Sequence, residues 1–230
     1  MSNVSGLMSV PSSTVQGAIS SLPGILLIAG FLFDAIDYLT YYSSDKGSIL
    51  FSLKDWIMFI DWRSELAREG HRVILSGLPI AMHCHHYNIN LQKMLEDTLG
   101  EEGIALLYNV AEEVSYYGFQ SFLDQYTRIK TIKSKLEFAT TIYQNSGLGI
   151  IHFRKLGPRG GRIVSPSSHH VTGWLAKHGR RDTPGCHFAR GWIAGVMEVI
   201  YNHPLKHFTV EERHCKMKRD EACVFHVKEI

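Results

Sequence analysis

The chain has 230 residues, of which 45% are hydrophobic and 20% are charged, and its formal net charge is +2. This composition is that of an ordinary soluble globular protein, and the length suffices for one domain with a buried core. The small net charge, with no long basic run, argues against direct nucleic-acid binding. The 4 cysteines are too few for a disulfide scaffold, so they indicate reduced thiols or metal ligands in a cytoplasmic protein.

Residues 1–69 are predicted to form a helical N-terminal extension. The apolar run at 22–33 is too short to span a bilayer, and no basic region precedes it as a secretory signal requires. We therefore interpret this run as a buried or dimer-forming helix. A second helix is predicted at 53–69, where apolar residues share one side and Gly70 ends the pattern.

Residues 70–230 mix helical and strand patterns and predict an α+β domain. A strand followed by a turn is predicted at 71–79, further strands at 150–156, 162–164, 208–215 and 222–227, and helices at 91–99, 104–114 and 136–143. Ser165 and Pro166 are typical of the N-cap and first position of a further helix. A last helix is predicted to begin at Cys186, and its Gly191 and Gly195 would let a neighbouring element approach closely.

The C-terminal stretch 186–230 contains a candidate metal site. Three cysteines lie here, Cys186, Cys215 and Cys223, together with Glu212. Thiolates and a carboxylate brought together from a helix start and two strands could hold a tetrahedral Zn²⁺. The spacing of Cys215 and Cys223 is looser than that of a zinc ribbon, so three half-buried cysteines acting as small hydrophobic residues are an equal alternative.

A family resemblance favours the metal. The run Cys-His-Phe-Ala-Arg-Gly-Trp-Ile-Ala-Gly from Cys186, then Glu-x-x-Cys, then a Cys leading into Val-Phe-His-Val, resembles the end of a V4R (4-vinyl reductase, hydrocarbon-binding) domain. The resemblance extends over about 70–227. It implies helices packed on a small antiparallel sheet and the binding of a small apolar or aromatic molecule.

The resemblance also implies a ligand set for the metal. In the phenol-sensing activators of this family a structural zinc is held by Cys, Glu, Cys and Cys. The matching residues here are Cys186, Glu212, Cys215 and Cys223, although the neighbouring Glu211 is an alternative carboxylate. A leading segment helps to build a dimer in those sensors, so the resemblance implies a homodimer here, with residues 1–69 contributing to it.

Histidines form a second focus of the sequence. His83, His85 and His86 lie close together, and His169 and His170 follow later. Converging imidazoles would suit a second metal with an open position for substrate. Histidines that hydrogen-bond to the backbone at a helix start, or that act as polar anchors in a ligand pocket, are the alternatives.

Two functions follow from these patterns. The first is a cytoplasmic binding module whose zinc shapes the wall of a cavity for an apolar or aromatic molecule. The second is a metal-dependent enzyme acting on that molecule through the histidines. No G-x-S-x-G motif is present, and no catalytic residue is assigned. The predicted ligand-binding residues are His83, His85, His86, Tyr87, His169, His170, Trp174 and Trp192.

Overall fold

The computed structural model describes residues 66–75, 77–81 and 83–230. The helices predicted at 22–33 and over most of 53–69 lie outside these ranges. The strands are β1 (Leu66–Glu69), β2 (Arg72–Leu75), β3 (Leu78–Ile80), β4 (Gly149–Gly157), β5 (Gly160–Ser168), β6 (Phe208–His214) and β7 (Cys223–Glu229). The helices are α1 (His85–Leu99), α2 (Glu101–Gln125), α3 (Ile132–Asn145), α4 (His169–His178), α5 (His187–Tyr201) and a 3₁₀ turn (Lys216–Lys218). This architecture confirms the predicted α+β class.

The first three strands form a small antiparallel sheet in the order β1-β2-β3. The prediction of helix up to residue 69 is wrong for its last four residues, which form β1. Gly70 adopts φ +60°, a left-handed conformation that turns the chain back so that Leu66 pairs with Leu75 and Glu69 with Arg72. Backbone pairing across this tight turn therefore replaces the helical pattern.

The main sheet is antiparallel with the order β4-β5-β7-β6. The predicted hairpin of β4 and β5 and the two C-terminal strands are confirmed. The prediction that a helix begins at Ser165 and Pro166 is wrong. Strand β5 continues to Ser168, and the helix starts at His169. Ser165 pairs with Cys223, and its hydroxyl donates to the Ile150 carbonyl instead of capping a helix.

Helix α5 forms the centre of the core, since all of residues 191–200 are buried. The predicted close approach is confirmed, because α2 packs directly on the glycine face of this helix. A Cβ atom at Gly191 would lie 2.9 Å from the Ala111 Cβ, and one at Gly195 would lie 2.5 Å from the Ser115 Oγ. Within the described ranges, no helix combines the length and apolar character that a bilayer crossing requires.

We expect Gly195→Ala to lower the free energy of unfolding by about 1–3 kcal/mol, the usual cost of overpacking a core. The added methyl group would also overlap the Glu112 carbonyl, a backbone atom that cannot rotate away. The matched control is Gly118→Ala on α2, where a Cβ meets nothing within 4 Å. That variant should be slightly more stable than the wild type. Urea unfolding measures both, and equal midpoints for the two variants would contradict the expectation.

Candidate metal centre and buried polar cluster

Four buried side chains converge where α5, β6 and β7 begin or end. Cys186 is the N-cap of α5, Glu212 lies on β6, Cys215 follows β6, and Cys223 is the first residue of β7. Their ligand atoms all lie within 4.8 Å of one another. In the part of the chain that the structure describes, no other group of three or more His, Cys, Asp or Glu side chains is arranged in this way.

Hydrogen bonds arrange the donors around one point. The Sγ atoms of Cys186 and Cys223 are 3.6 Å apart, and the Cys186 backbone N–H donates to Glu212 Oε2 at 2.9 Å. The other oxygen, Glu212 Oε1, is buried without a hydrogen-bond partner. Glu211 points to the opposite face of the strand, where it forms ion pairs with Arg213 and Lys228. Glu212 is therefore the carboxylate of this cluster.

A tight turn explains how the long spacing between Cys215 and Cys223 still brings their sulfurs together. After Cys215 the chain makes one 3₁₀ turn, and Arg219 adopts φ +85°. The Asp220 carboxylate accepts a 2.7 Å hydrogen bond from the Cys215 backbone N–H, and its other oxygen lies 3.3 Å from His214 Nδ1. The loop therefore folds back over the cluster and delivers Cys223 to it.

The cluster brings three thiols and one carboxyl group together in the interior of the domain. Burial, and then the neighbouring Cys215, raises the pKa of Glu212 to about 8. Hydrogen bonds with Cys215 and Cys223, and then burial, raise the pKa of the Cys186 thiol. Ionised groups are costly to bury without a compensating charge. A divalent cation supplies that charge, and three thiolates with one carboxylate form a donor set that fits tetrahedral Zn²⁺.

The predicted histidine cluster is spread over the starts of α1 and α4. His83, His85 and His86 are exposed, and Tyr87 is 52% exposed. The ring centroids of His85 and His86 lie 4.2 Å apart, and the His85 ring lies 6.0 Å from that of His169. Across the described residues these imidazoles do not bring three ligand atoms together. The geometry therefore gives a second metal no support.

His170 differs from the other histidines because it is only 5% exposed. Its ring lies 5.1 Å from that of Phe188 and 5.2 Å from that of His169, and neither of its nitrogens has a hydrogen-bond partner. Burial lowers its pKa to about 3. The imidazole is therefore neutral, with one donor and one acceptor that are not satisfied by protein groups.

Four other buried polar atoms without well-formed hydrogen bonds come from α3, the end of β5, α4 and the start of α5. They are the Tyr143 hydroxyl, the Ser168 hydroxyl, the Trp174 indole N–H and His187 Nδ1. Burial, and then the neighbouring Cys186 and Cys223, raise the pKa of Tyr143, whereas the Ser168 hydroxyl beside it acts in the opposite direction. Buried polar atoms are normally satisfied, so such a group indicates an additional partner, either water or a ligand.

Two aromatic residues of the predicted binding set are buried. Trp174 is 5% exposed, with the Arg181 guanidinium 4.5 Å from its ring centroid. Trp192 is 6% exposed, and its ring lies 4.7 Å from that of Tyr143. Sequence reasoning missed Tyr143, because a tyrosine on a short helix carries no signal of its own.

A groove of about 330 Å³ opens on the outer face of the main sheet. It is lined by Arg162, Val164, His214, Asp220, Glu221, Ala222 and Val224. Ile163 and Cys223 alternate with these lining residues and point to the core. The groove therefore lies on the opposite face from the cysteine cluster, and its charged rim does not match the apolar cavity that the sequence predicts.

Two comparisons by sequence give no match. No protein-family profile matches the chain, and no curated protein matches it significantly.

Comparisons by structure find several solved proteins with a similar fold. The phenol-responsive sensory domain of the transcription activator PoxR, solved with phenol, aligns with a TM-score of 0.64 at 14% identity, covering 78% of this chain and 92% of that one. A vinyl-4-reductase family protein from Methanocaldococcus jannaschii gives a TM-score of 0.40 at 18% identity, covering 63% of this chain and 92% of that one. A trafficking protein particle complex subunit 3 from Naegleria fowleri, covalently bound to palmitic acid, gives 0.44 at 12% identity, covering 64% of this chain and 95% of that one.

The alignment with the PoxR sensory domain extends over most of both chains. At 14% identity, such a likeness concerns the fold. It agrees with the family that the cysteine-containing C-terminal stretch resembles. The chain therefore has a fold similar to that of the phenol-responsive sensory domain of PoxR.

Proposed function

We propose that this chain is a small-molecule-binding module that holds a structural Zn²⁺ at Cys186, Glu212, Cys215 and Cys223 and binds an apolar or aromatic molecule beside it. The convergence of these four buried side chains carries the proposal. When bound, the cation would join α5, β6 and β7 at one point and offset the charge of the thiolates.

The ligand is proposed to bind where the buried polar atoms lie. His170, Trp174 and Ser168 come from one stretch at the start of α4, and Tyr143 comes from α3. Aromatic rings with a few polar atoms are the usual lining of a small-molecule site. A ligand hydroxyl can both donate and accept, so it matches the unsatisfied groups of His170. Support for an aromatic ligand also comes from the phenol bound to the PoxR domain of similar fold.

The exposed residues of the predicted ligand-binding set do not belong to the buried part of the proposed site. His83, His85, His86 and Tyr87 lie at the start of α1, and His169 connects to that helix through the Asn88 amide at 3.1 Å. We assign these residues to the entrance and Trp192 to the inner wall. No side chain is assigned a catalytic role, and binding is favoured over the enzyme hypothesis because the described histidines do not converge on a metal.

We expect His170→Phe to weaken phenol binding by about 10-fold, because the variant keeps the ring but loses the polar atoms that would contact the hydroxyl. Stability should not fall, since two unsatisfied buried nitrogens are removed. Isothermal titration with phenol measures the affinity, and metal analysis of the same samples should give equal zinc contents. His71→Phe, at an exposed turn position outside the proposed site, is the matched control and should keep the wild-type affinity.

Two outcomes would contradict this expectation. Equal phenol affinities for the wild type and His170→Phe would remove His170 from the site. No measurable phenol binding by the wild type would refute an aromatic hydroxyl compound as the ligand class, whatever its zinc content.

A further inference from the structure

A polar network on α1 lies against the loop that leads to Cys186. The Glu96 carboxylate accepts hydrogen bonds from Gln92 Nε2 at 2.7 Å, Arg181 Nη1 at 3.0 Å and His187 Nε2 at 3.1 Å. The side chain of Glu96 is only 12% exposed. Burial opposes ionisation, but the hydrogen bonds from His187, Arg181 and Gln92 outweigh it and lower the pKa of Glu96 to about 2. The network is therefore charged and compact.

This network extends to the metal centre through a single peptide group. Gln92 Nε2 also donates to the Gly185 carbonyl at 2.8 Å. The N–H of the same peptide belongs to Cys186, and it donates to Glu212 Oε2 at 2.9 Å. One planar peptide thus connects a side chain of α1 with a carboxylate of the cluster. Because a peptide plane moves as a unit, a shift at its carbonyl is transmitted to its N–H.

The loop around this peptide has little room to adjust. Arg181 is held at both ends, since its guanidinium binds Glu96 and its backbone N–H donates to the Met217 carbonyl at 3.1 Å. A Cβ at Gly185 would lie 2.7 Å from Met217 Sδ and 2.8 Å from Arg181 Nη1. The position of the peptide is therefore set by the contacts on its two sides.

We propose that Gln92 and Glu96 are positioning residues, which hold the Gly185–Cys186 peptide so that the Cys186 thiolate and the Glu212 carboxylate face the same cation. The inference rests on the proposed metal site and adds a partner element to it. Helix α1 begins at the residues assigned to the ligand entrance, and its middle holds the metal centre. Displacement of α1 would thus change the metal coordination without any contact between ligand and metal.

The test uses Co²⁺ as a spectroscopic probe in the 230-residue chain. Gln92→Leu removes the bond to the peptide and leaves the ligands in place. We expect about 10–100-fold weaker Co²⁺ binding, the range found for residues that orient metal ligands, and a shifted visible absorption spectrum of the bound ion. Glu96→Gln should act in the same direction. Asp97→Asn is the matched control, because Asp97 is an exposed neighbour on α1 that pairs with Lys93.

The outcomes separate three situations. Weaker binding with a changed spectrum in Gln92→Leu, and neither in Asp97→Asn, supports the inference. A Gln92→Leu protein with the wild-type Co²⁺ affinity and spectrum overturns it, even if thermal stability falls, because a merely structural role would affect stability alone. A wild-type chain that binds no Co²⁺ or Zn²⁺ refutes the proposed metal site, and the inference fails with it. Should Glu96→Gln not fold, Gln92→Leu alone decides.

Discussion

Cys223→Ser is expected to reduce the zinc content from one ion per chain to nearly none and to destabilise the domain. A serine hydroxyl is a poor replacement for a thiolate ligand of zinc. Loss of the ion also removes the stabilisation that binding gives to the folded state, roughly 4 kcal/mol when free zinc is about 1,000-fold above its Kd. Metal analysis after gel filtration and thermal unfolding with and without added zinc measure both effects.

The chain offers a control for this substitution in its fourth cysteine. Cys84 is exposed, whereas Cys186, Cys215 and Cys223 are buried. Cys84→Ser should therefore retain the wild-type zinc content and unfolding temperature. One zinc ion per chain in the Cys223→Ser protein, with unchanged stability, would contradict the assignment of Cys223 as a ligand.

Glu112→Gln is expected to stabilise the protein at pH 8 and to flatten the decline in its stability with rising pH. Glu112 on α2 and Glu198 on α5 are buried, with 2% and 0% exposure, and their carboxyl groups interact directly. Burial, and then the charge of Glu198, raises the pKa of Glu112 to about 7. Burial also raises the pKa of Glu198, so ionisation of Glu112 above pH 7 places a buried charge beside a second carboxyl group, and glutamine removes that charge.

The direction of the pH effect follows from the raised pKa. A carboxyl group that binds its proton more tightly in the folded state contributes stability that is fully present below its unfolded pKa, near 4.5. That contribution is lost as the pH rises through about 7. Lys206 opposes the shift, and burial with the charge of Glu112 also raises the pKa of the neighbouring Tyr108. The pair therefore destabilises the domain at alkaline pH.

The measurement is urea unfolding of the wild type and Glu112→Gln at intervals from pH 4.5 to pH 8. The difference between the two proteins isolates this group from others that titrate in the same range, such as the Glu212 carboxyl. We expect the variant to gain relative stability throughout this interval. A difference that stays constant with pH would show that Glu112 does not carry the shifted titration. Glu113→Gln, at an exposed position on the same helix, is the control.

Local sequence patterns were sufficient to predict most of the helices and strands. The hairpin of β4 and β5, for example, is indicated by its alternating residues and its glycine-containing turn. The helix start at Ser165 and Pro166 was predicted wrongly, since pairing of Ser165 with Cys223 outweighs a favourable capping sequence. The same competition affected residues 66–69, which pair with β2. Long-range pairing of this kind is not visible in a local pattern.

The candidate site was predictable in part. The three cysteines and one carboxylate followed from the resemblance, but the choice between Glu211 and Glu212 required the direction of each side chain on β6. Gln92 and Glu96 were missed, because their contacts with Gly185 and Arg181 join positions about 90 residues apart. Cysteine and histidine attract attention by their chemistry, whereas a glutamine on an amphipathic helix does not.

The zinc site is tested most directly by X-ray absorption at the zinc K edge on the purified wild-type protein. The proposed site predicts one zinc ion per chain with three sulfur neighbours at about 2.3 Å and one oxygen neighbour at about 2.0–2.2 Å. A protein that retains no zinc, or a zinc ion surrounded mainly by imidazole nitrogen, would contradict coordination by Cys186, Glu212, Cys215 and Cys223.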